Sequence, residues 1–153
     1  MSALLDEALL IAADLCRHFE GFRSKPYICP AGYPTIGYGT VWKPDGTKVT
    51  MGDAPITKQT ANEWLLSELR TNYAAGVLRA SPGLISNPRA LAAMIDFAYN
   101  LGVARYRAST LRRKVDQRNW ETVKEQLMRW TRGGGKVLPG LVRRRKAEVA
   151  LIG

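Results

Sequence analysis

The sequence predicts an α+β fold that is mainly helical, with a small β-sheet lobe and a larger helical lobe joined by a long helix. Residues 2–19 repeat apolar side chains at helical spacing. Residues 33–53 contain strand-like stretches around the turn signal Lys43-Pro-Asp-Gly46. From Thr57 onward, capping residues and helical spacing dominate. A length of 153 residues favours one domain.

The first helix is expected to end at Phe19, because Gly21 follows as a stop signal. Cys16 lies within it and is predicted to act as a small buried apolar side chain. The stretches Thr35–Trp42 and Lys48–Met51 are predicted to pair as a small antiparallel sheet.

A long helix is predicted from Thr57, its N-cap, to about Ala80. Its length of about 36 Å exceeds what a compact small lobe needs. The predicted organisation is therefore a small lobe at about 18–56, a linking helix at about 57–80, and a helical lobe at about 81–153 that includes the N-terminal helix.

Four further helices are predicted in the second half of the chain. The first, from Pro88 to Asn100, is apolar nearly all round and should be the core helix. Gly133-Gly-Gly135 is predicted to be a flexible break. The remaining three helices are placed from Ser109 to about Asp116, from Asn119 to about Thr131, and after Leu138-Pro139-Gly140.

The positive charge is concentrated in one half of the chain. The formal net charge is +10. Residues 1–80 hold 8 Lys/Arg and 8 Asp/Glu, whereas residues 81–153 hold 15 and 5. Such asymmetry indicates an anionic partner, namely nucleic acid, a membrane face or an acidic polymer; the alternative is a solvated surface that maintains solubility.

Composition argues against several classes of protein. The longest apolar run, residues 8–13, is too short to span a membrane, and the N-terminus lacks a signal-peptide pattern. Cys16, Cys29 and the single histidine do not have metal-ligand spacing, so no metal site is expected. A disulfide between the two cysteines remains open.

Three chemically usable side chains lie in a short Gly- and Pro-rich window. Eight residues separate Glu20 from Cys29, and five separate Cys29 from Thr35. Glu20 is expected at a helix C-terminus, where the helix dipole favours the protonated form that a general acid requires. Alternatively, Glu20 is a solvated helix-end residue and Cys29 a structural thiol.

This spacing matches the catalytic signature of the phage-type lysozymes, the endolysin muramidases. In that family the middle position is usually Asp and sometimes Cys. Four further segments, in the same order, resemble the family. They are Thr35-Ile-Gly-Tyr-Gly39, Ile56-Thr57, Phe97-Ala-Tyr-Asn-Leu-Gly102 followed by Ser109-Thr-Leu111, and Leu138 to Glu148. The chain departs from the pattern at Thr40, where the family often has His, and at Cys29.

The resemblance implies a lysozyme-like fold and hydrolysis of the β-1,4 bond between N-acetylmuramic acid and N-acetylglucosamine in peptidoglycan. Glu20 would protonate the leaving oxygen, Cys29 would deprotonate or orient a water, and Thr35 would hold that water. Inversion is expected if acid and base are roughly 6.5–9.5 Å apart; at about 5 Å, Cys29 could instead attack as a nucleophile. Acting as a base requires a depressed thiol pKa, which Arg23 or Lys25 could supply.

The family pattern also implies sugar contacts at Val41, Tyr99, Asn100 and Thr110. No metal or organic cofactor is implied. The expected partner is peptidoglycan, with the basic half contacting anionic wall or outer-membrane lipid. The protein is expected to be a monomer that waits in the host cytoplasm until a holin releases it to the periplasm, since no signal peptide or signal anchor is visible.

Two alternatives come from other functional classes. A nucleic-acid-binding module would explain the basic half, but the sequence has no helix-turn-helix or zinc signature, so nucleic acid is not an expected partner. A membrane-active segment at residues 138–152 would explain the helical alternation of basic and apolar residues, and could coexist with catalysis.

Overall fold

A computed structural model describes residues 2–153 and confirms a mainly helical fold with a small two-stranded sheet. Helix α1 spans Ala3–Glu20, one residue beyond the predicted end. The Ser2 side chain caps it by accepting a hydrogen bond from the Leu5 backbone, and Gly21 follows it with φ of 71°. Cys16 is fully buried, as predicted.

The main sheet differs from the prediction. Strand β1, Arg23–Ile28, pairs antiparallel with β2, Pro34–Gly37, with Tyr27 opposite Thr35. The two segments predicted as a hairpin around residues 43–46 form no regular ladder; one isolated bridge joins Trp42 and Lys48, and the Val49 N–H donates to the Val41 carbonyl at 2.8 Å. Strand β1 was not predicted, because its first residues, Arg-Ser-Lys-Pro, are polar. They lack the alternation of apolar and polar residues that indicates a half-buried strand.

The predicted long helix exists but changes type along its length. Helix α2, Lys58–Glu68, begins at the Thr57 cap, as predicted. A π-helical segment, Leu69–Ala74, then leads directly into α3, Ala75–Ala80. The continuous helical path therefore runs through residues 58–80, and its role in joining two lobes stays a prediction.

Helix α4, Pro88–Leu101, forms the centre of the core, as predicted. Asn87 caps it, and every side chain from residue 90 to residue 98 is buried. It packs mainly against α1 and α8. One of its buried residues is the charged Asp96, which requires a partner because an unpaired buried charge is strongly unfavourable.

The remaining helices follow the predicted caps with one addition and one shortening. Helix α5 was not predicted, and α7 ends earlier than residue 131. The four helices are α5, Val103–Ala108; α6, Thr110–Asp116; α7, Trp120–Leu127; and α8, Pro139–Ile152.

The glycine-rich segment before α8 is a hairpin, so the predicted flexible break is wrong. Strand β3, Arg132–Gly133, pairs with β4, Lys136–Val137. Gly134 and Gly135 form its turn at φ of 59° and 80°. Two consecutive residues with positive φ suit a tight two-residue hairpin turn, which glycine adopts without steric cost.

Helix α8 divides its four consecutive basic residues between the core and the surface. Arg144 and Arg145 are buried, whereas Arg143 and Lys146 are exposed. The apolar residues Val149, Leu151 and Ile152 pack against the core. Membrane activity of residues 138–152 stays a prediction.

Candidate active site

Glu20 lies at the last position of α1, and Arg144 of α8 holds its carboxylate. Arg144 Nη1 donates a hydrogen bond to Glu20 Oε2 at 2.7 Å. The contact is a charge-assisted hydrogen bond between a guanidinium and a carboxylate, and it fixes the position of Oε2.

The other carboxylate oxygen of Glu20 faces Gly39, which follows β2 at φ of 86°. A Cβ atom built on Gly39 would lie 2.8 Å from Glu20 Oε1 and 3.2 Å from the Tyr99 hydroxyl. Tyr99 donates that hydroxyl proton to the Tyr38 carbonyl at 2.7 Å. Glu20 is thus enclosed between the α8 arginine and a backbone segment that only glycine allows to come so close.

Cys29 occupies the turn between β1 and β2, as the sequence suggested. Its backbone N–H donates to the Tyr33 carbonyl at 3.0 Å, and the Gly32 N–H donates to the Cys29 carbonyl at 2.8 Å. Cys29 is partly exposed and Cys16 is buried, and both are free cysteines, so the structure does not contain the disulfide that the sequence left open.

The surroundings of Cys29 favour its thiolate. Hydrogen bonding from the Tyr33 backbone is the main influence that lowers the pKa of Cys29; burial acts in the opposite direction, and the Thr35 side chain adds a smaller lowering effect. The sequence had suggested the charges of Arg23 or Lys25 as the cause. The leading cause is instead the local turn, and Arg23 lies over the Tyr27 ring, 4.5 Å from its centroid.

Thr35 is buried in β2, with 2% of its surface exposed. Its hydroxyl donates to the Tyr33 carbonyl at 2.9 Å. Because a hydroxyl has one proton and two lone pairs, this bond leaves the oxygen free to accept a hydrogen bond from a water molecule.

Glu20 and Cys29 both raise the pKa of the nearby Tyr27. Burial, followed by the charge of Glu20, raises the pKa of Tyr27, and Cys29 adds a smaller contribution of the same sign. Since Tyr27 also pairs with Thr35 in the sheet, the β1–β2 hairpin links the three residues singled out in the sequence.

A buried charge network behind Glu20 was missed by sequence reasoning. Arg144 Nε and Nη2 bind Asp96 Oδ2 and Oδ1 at 2.9 and 2.8 Å, and the Cys16 thiol donates to Asp96 Oδ1 at 3.3 Å. Burial alone lowers the pKa of Arg144, but Asp96 and then Glu20 outweigh it, so the net pKa is raised. A signal was present, since Asp96 is the only charged residue in the otherwise apolar stretch from Ala90 to Tyr99.

The structure places the four predicted sugar contacts in different settings. Asn100 Oδ1 accepts from Arg145 Nη2 at 2.7 Å. Thr110 Oγ1 accepts from Arg113 at 2.9 Å. The Val41 carbonyl accepts from Val49 N–H at 2.8 Å, while Tyr99 is the member that lies beside Glu20. Contact of all four with sugar stays a prediction.

Among the cavities near these residues, one of about 500 Å³ adjoins the Glu20–Arg144 pair. His18, Phe19, Asn100 and Arg144 contribute to its lining. A second, of about 450 Å³, lies near Trp120, and none of the three signature residues lines either cavity. Within residues 2–153, no group of three or more His, Cys, Asp or Glu could hold a metal ion, and no helix is long and apolar enough to cross a membrane.

Comparison with known proteins gives one consistent relationship. The family model described as Phage lysozyme matches residues 17–148. The chain is 30% identical over 141 residues to the endolysin of Acyrthosiphon pisum secondary endosymbiont phage 1, covering 90% of this chain and 91% of that protein. Its fold is similar to that of the endolysin from Escherichia coli O157:H7 phage FAHEc1, with a TM-score of 0.79, 29% identity, and coverage of 93% and 90% of the two chains.

Some relatives are longer than this chain. The endolysin of Bacillus phage B103 is 30% identical over 140 residues, which are 90% of this chain and 51% of that protein. The chain therefore spans about half the length of that relative, and the similarity extends to the part that contains the Glu20, Cys29 and Thr35 signature.

Proposed function

The chain belongs to the phage lysozyme family and is an endolysin-type muramidase that hydrolyses peptidoglycan, and on that premise we propose that Glu20, Cys29 and Thr35 carry the reaction. The bond cleaved is the β-1,4 bond between N-acetylmuramic acid and N-acetylglucosamine. In the cell, this cleavage lyses the host after a holin has released the enzyme to the periplasm.

Glu20 is the general acid, and its placement is the observation that carries the proposal. Arg144 holds Oε2, while Oε1 lies beside Gly39 in the space next to Tyr99. Oε1 transfers its proton to the glycosidic oxygen as the bond to the anomeric carbon breaks. Arg144 then stabilises the carboxylate that forms, because a charge-assisted hydrogen bond is strongest to the ionised acceptor.

Cys29 and Thr35 act on the water that replaces the leaving group. The oxygen of this water bonds to the anomeric carbon, and its proton passes to the Cys29 sulfur. The lowered pKa of Cys29 supports this role, since only the thiolate can accept the proton. Thr35 accepts a hydrogen bond from the same water and fixes its position. A water placed between acid and base gives inversion at the anomeric carbon.

Charge supports attraction to the wall. Residues 81–153 carry 15 Lys/Arg against 5 Asp/Glu, and Asp96 and Glu148 of that half are buried partners of Arg144 and Arg145. The remaining exposed cations would draw the enzyme towards an anionic polymer at low and moderate salt.

The test is hydrolysis of purified peptidoglycan by the Glu20→Gln variant. Glutamine keeps the size of the side chain but has no proton to donate, so we expect a loss of roughly 10²–10⁴-fold or more. Glu7→Gln, an exposed change on the same helix, is the matched control and should keep wild-type activity. A folded Glu20→Gln protein that hydrolyses the wall at the wild-type rate would overturn the assignment of the acid.

A further inference from the structure

The cavity of about 450 Å³ beside Trp120 has no part in the proposed reaction. It lies between the turn at residues 81–87 and the junction of α6 and α7. Asn87, in its lining, caps the start of α4, whereas Tyr99 lies in the last turn of that helix. At 1.5 Å per residue, the cavity and the candidate active site are about 18 Å apart along α4. Its size is within the range of roughly 300–1,000 Å³ that is typical of small-molecule sites.

Arg118 gives the lining of this cavity a positive charge. The side chain is exposed, and its Nη2 lies 3.8 Å from the position of a Cβ atom built on Gly83, so the guanidinium extends over the turn at residues 81–87. Arg118 makes no ion pair with any carboxylate among residues 2–153. Asp116, the acid that also lines the cavity, is already paired with Arg112 at 2.9 Å. The charge of Arg118 can therefore act on an anionic ligand.

The backbone of Arg118 has an unusual conformation. Its φ of 56° is the one positive value at a non-glycine residue in the described part of the chain. The turn is held by the Arg118 N–H, which donates to the Val115 carbonyl at 2.9 Å. Glycine or asparagine adopts this left-handed conformation more readily than arginine does. A residue that is kept there in spite of the strain indicates a use for its side chain.

The rest of the lining suits a carboxylate that is attached to a small apolar group. Asn87 Oδ1 accepts a hydrogen bond from the Ala90 N–H at 3.2 Å, so the amide N–H groups of Asn87 remain as donors. Leu84 and Val115 are buried side chains that line the cavity together with the Trp120 indole. The cavity thus combines donors and an uncompensated cation with an apolar wall.

We propose that this cavity binds the free C-terminal carboxylate of a peptidoglycan peptide. Arg118 and the Asn87 amide donate to the carboxylate, and the apolar wall contacts the terminal alanine side chain. The fork of a guanidinium matches a planar carboxylate in geometry as well as in charge. The inference rests on the proposed function, because it assumes that the polymer is peptidoglycan, whose peptides end in a D-alanine carboxylate. A second contact about 18 Å from the cleft raises avidity for the intact wall.

The test is titration of the full chain with N-acetyl-D-alanyl-D-alanine, followed by NMR at the Trp120 indole N–H. We expect saturable binding, and binding at least tenfold weaker for the C-terminal amide of the same peptide, because the amide has no charge. Arg118→Gln should lower the affinity for the acid by roughly tenfold or more. Arg107→Gln removes the same charge from an exposed position outside the cavity and should bind as the wild type does.

Two further arms keep the result decisive. Arg118→Asn repeats the substitution with a residue that tolerates positive φ, so its loss of binding cannot be assigned to backbone strain. Sodium acetate has the carboxylate but not the peptide, and should bind at least tenfold more weakly. The inference is overturned if acetate binds as tightly as the peptide, if the peptide acid and its amide bind alike, or if both Arg118 variants bind as the Arg107→Gln control does.

Sedimentation with intact peptidoglycan tests the role in wall binding. In the Glu20→Gln background, Arg118→Gln should bind the wall roughly 3–10-fold more weakly than Arg107→Gln does. Amidation of the wall carboxylates should remove this difference. Equal binding of the two variants to the untreated wall would contradict the second contact.

Failure of this inference and failure of the proposed function give different results, because peptide binding is measured without hydrolysis. If Glu20→Gln is inactive and peptide binding does not depend on Arg118, the peptide site is wrong and the function stands. If Glu20→Gln still hydrolyses the wall, the assignment of the acid fails, whichever result the peptide titration gives.

Discussion

Arg144 joins the carboxylate of Glu20 to that of Asp96 through one guanidinium group. Nη1 lies 2.7 Å from Glu20 Oε2, and the remaining nitrogens bind both oxygens of Asp96 at 2.8 and 2.9 Å. Asp96 is fully buried in the core helix α4, so it fixes the plane of the guanidinium. The orientation of the proposed acid at the end of α1 is therefore set by the opposite end of the chain.

Replacing Arg144 with lysine should reduce activity by roughly tenfold or more, because an ammonium cannot span both carboxylates with a planar fork. Keeping the positive charge limits the loss of stability, since Asp96 does not become an unpaired buried anion. Thermal unfolding and the kinetics of soluble-strand hydrolysis measure the two effects separately, and the loss should appear in kcat more than in KM.

Arg129→Lys, an exposed change, provides the matched control and should match the wild type in both assays. A well-folded Arg144→Lys protein with normal kcat would show that Glu20 does not depend on this contact for its position.

Gly39→Ala should nearly abolish activity. The new Cβ would lie 2.8 Å from Glu20 Oε1, so the carboxylate must move, and a displacement near 1 Å costs roughly 10²-fold. The φ of 86° also strains any residue other than glycine. Gly46→Ala separates these two causes, because Gly46 has φ of 87° but no atom within 4 Å of the added Cβ.

Both alanine variants should lose stability through strain, by more than about 1 kcal/mol each, while only Gly39→Ala loses hydrolysis. Equal activity in the two variants would contradict the idea that close approach at Gly39 positions the acid.

Local signals in the sequence were enough to predict most of the helices. The caps at Thr57, Asn87, Ser109 and Asn119 all accept hydrogen bonds from the first turns of their helices. These predictions succeed because a cap is a contact between residues only two or three positions apart. The position of Cys29 in a turn follows for the same reason, from the Pro and Gly residues around it.

Long-range contacts were the part that the sequence did not reveal. Strand β1 forms because β2 offers hydrogen bonds to it, not because its own residues alternate. The pair of Arg144 and Glu20 joins residues 124 positions apart, and the basic run in α8 had suggested a membrane-active segment. Only Asp96, a charged residue in an apolar stretch, indicated that a buried cation must lie nearby. The sequence did not show which arginine would be that cation.

Cys29→Ser should lose hydrolysis on the order of 10²-fold, because serine is far less acidic than a thiol and does not ionise in this turn. Cys29→Asp should keep much of the activity, since aspartate supplies an ionised acceptor at neutral pH. Turbidity loss of a wall suspension measures both, with circular dichroism to check folding. Full activity in folded Cys29→Ser would show that the thiol is not needed.

Alkylation provides an independent test of Cys29. The reagent should inactivate the wild type and leave Cys29→Asp active. Cys16 is protected, because burial and then the neighbouring Asp96 raise its pKa well above the usual value. A Cys16→Ser variant, which keeps a donor to Asp96, should therefore be inactivated at the wild-type rate. Slower inactivation of that variant would assign the effect to Cys16.

The last prediction concerns Glu68 and the dependence of stability on pH. Burial, followed by the charge of Glu20, raises the pKa of Glu68 from 4.5 to about 7. In the unfolded chain the ordinary value returns, so between about pH 4.5 and pH 7 the folded state holds this proton more tightly. The stabilisation is complete below pH 4.5 and is lost as the pH rises through 7, by on the order of 3 kcal/mol.

Glu68→Gln should remove this loss, because the amide of glutamine stays neutral throughout that range. We expect the variant to gain stability over the wild type at pH 8 and to match it more closely near pH 5, as measured by denaturant unfolding. Glu63→Gln, on the exposed side of the same helix, should leave the pH dependence unchanged. If Glu68→Gln and Glu63→Gln lose stability in parallel with the wild type between pH 5 and pH 8, another group is responsible for the pH dependence, and Glu68 is charged in the folded protein.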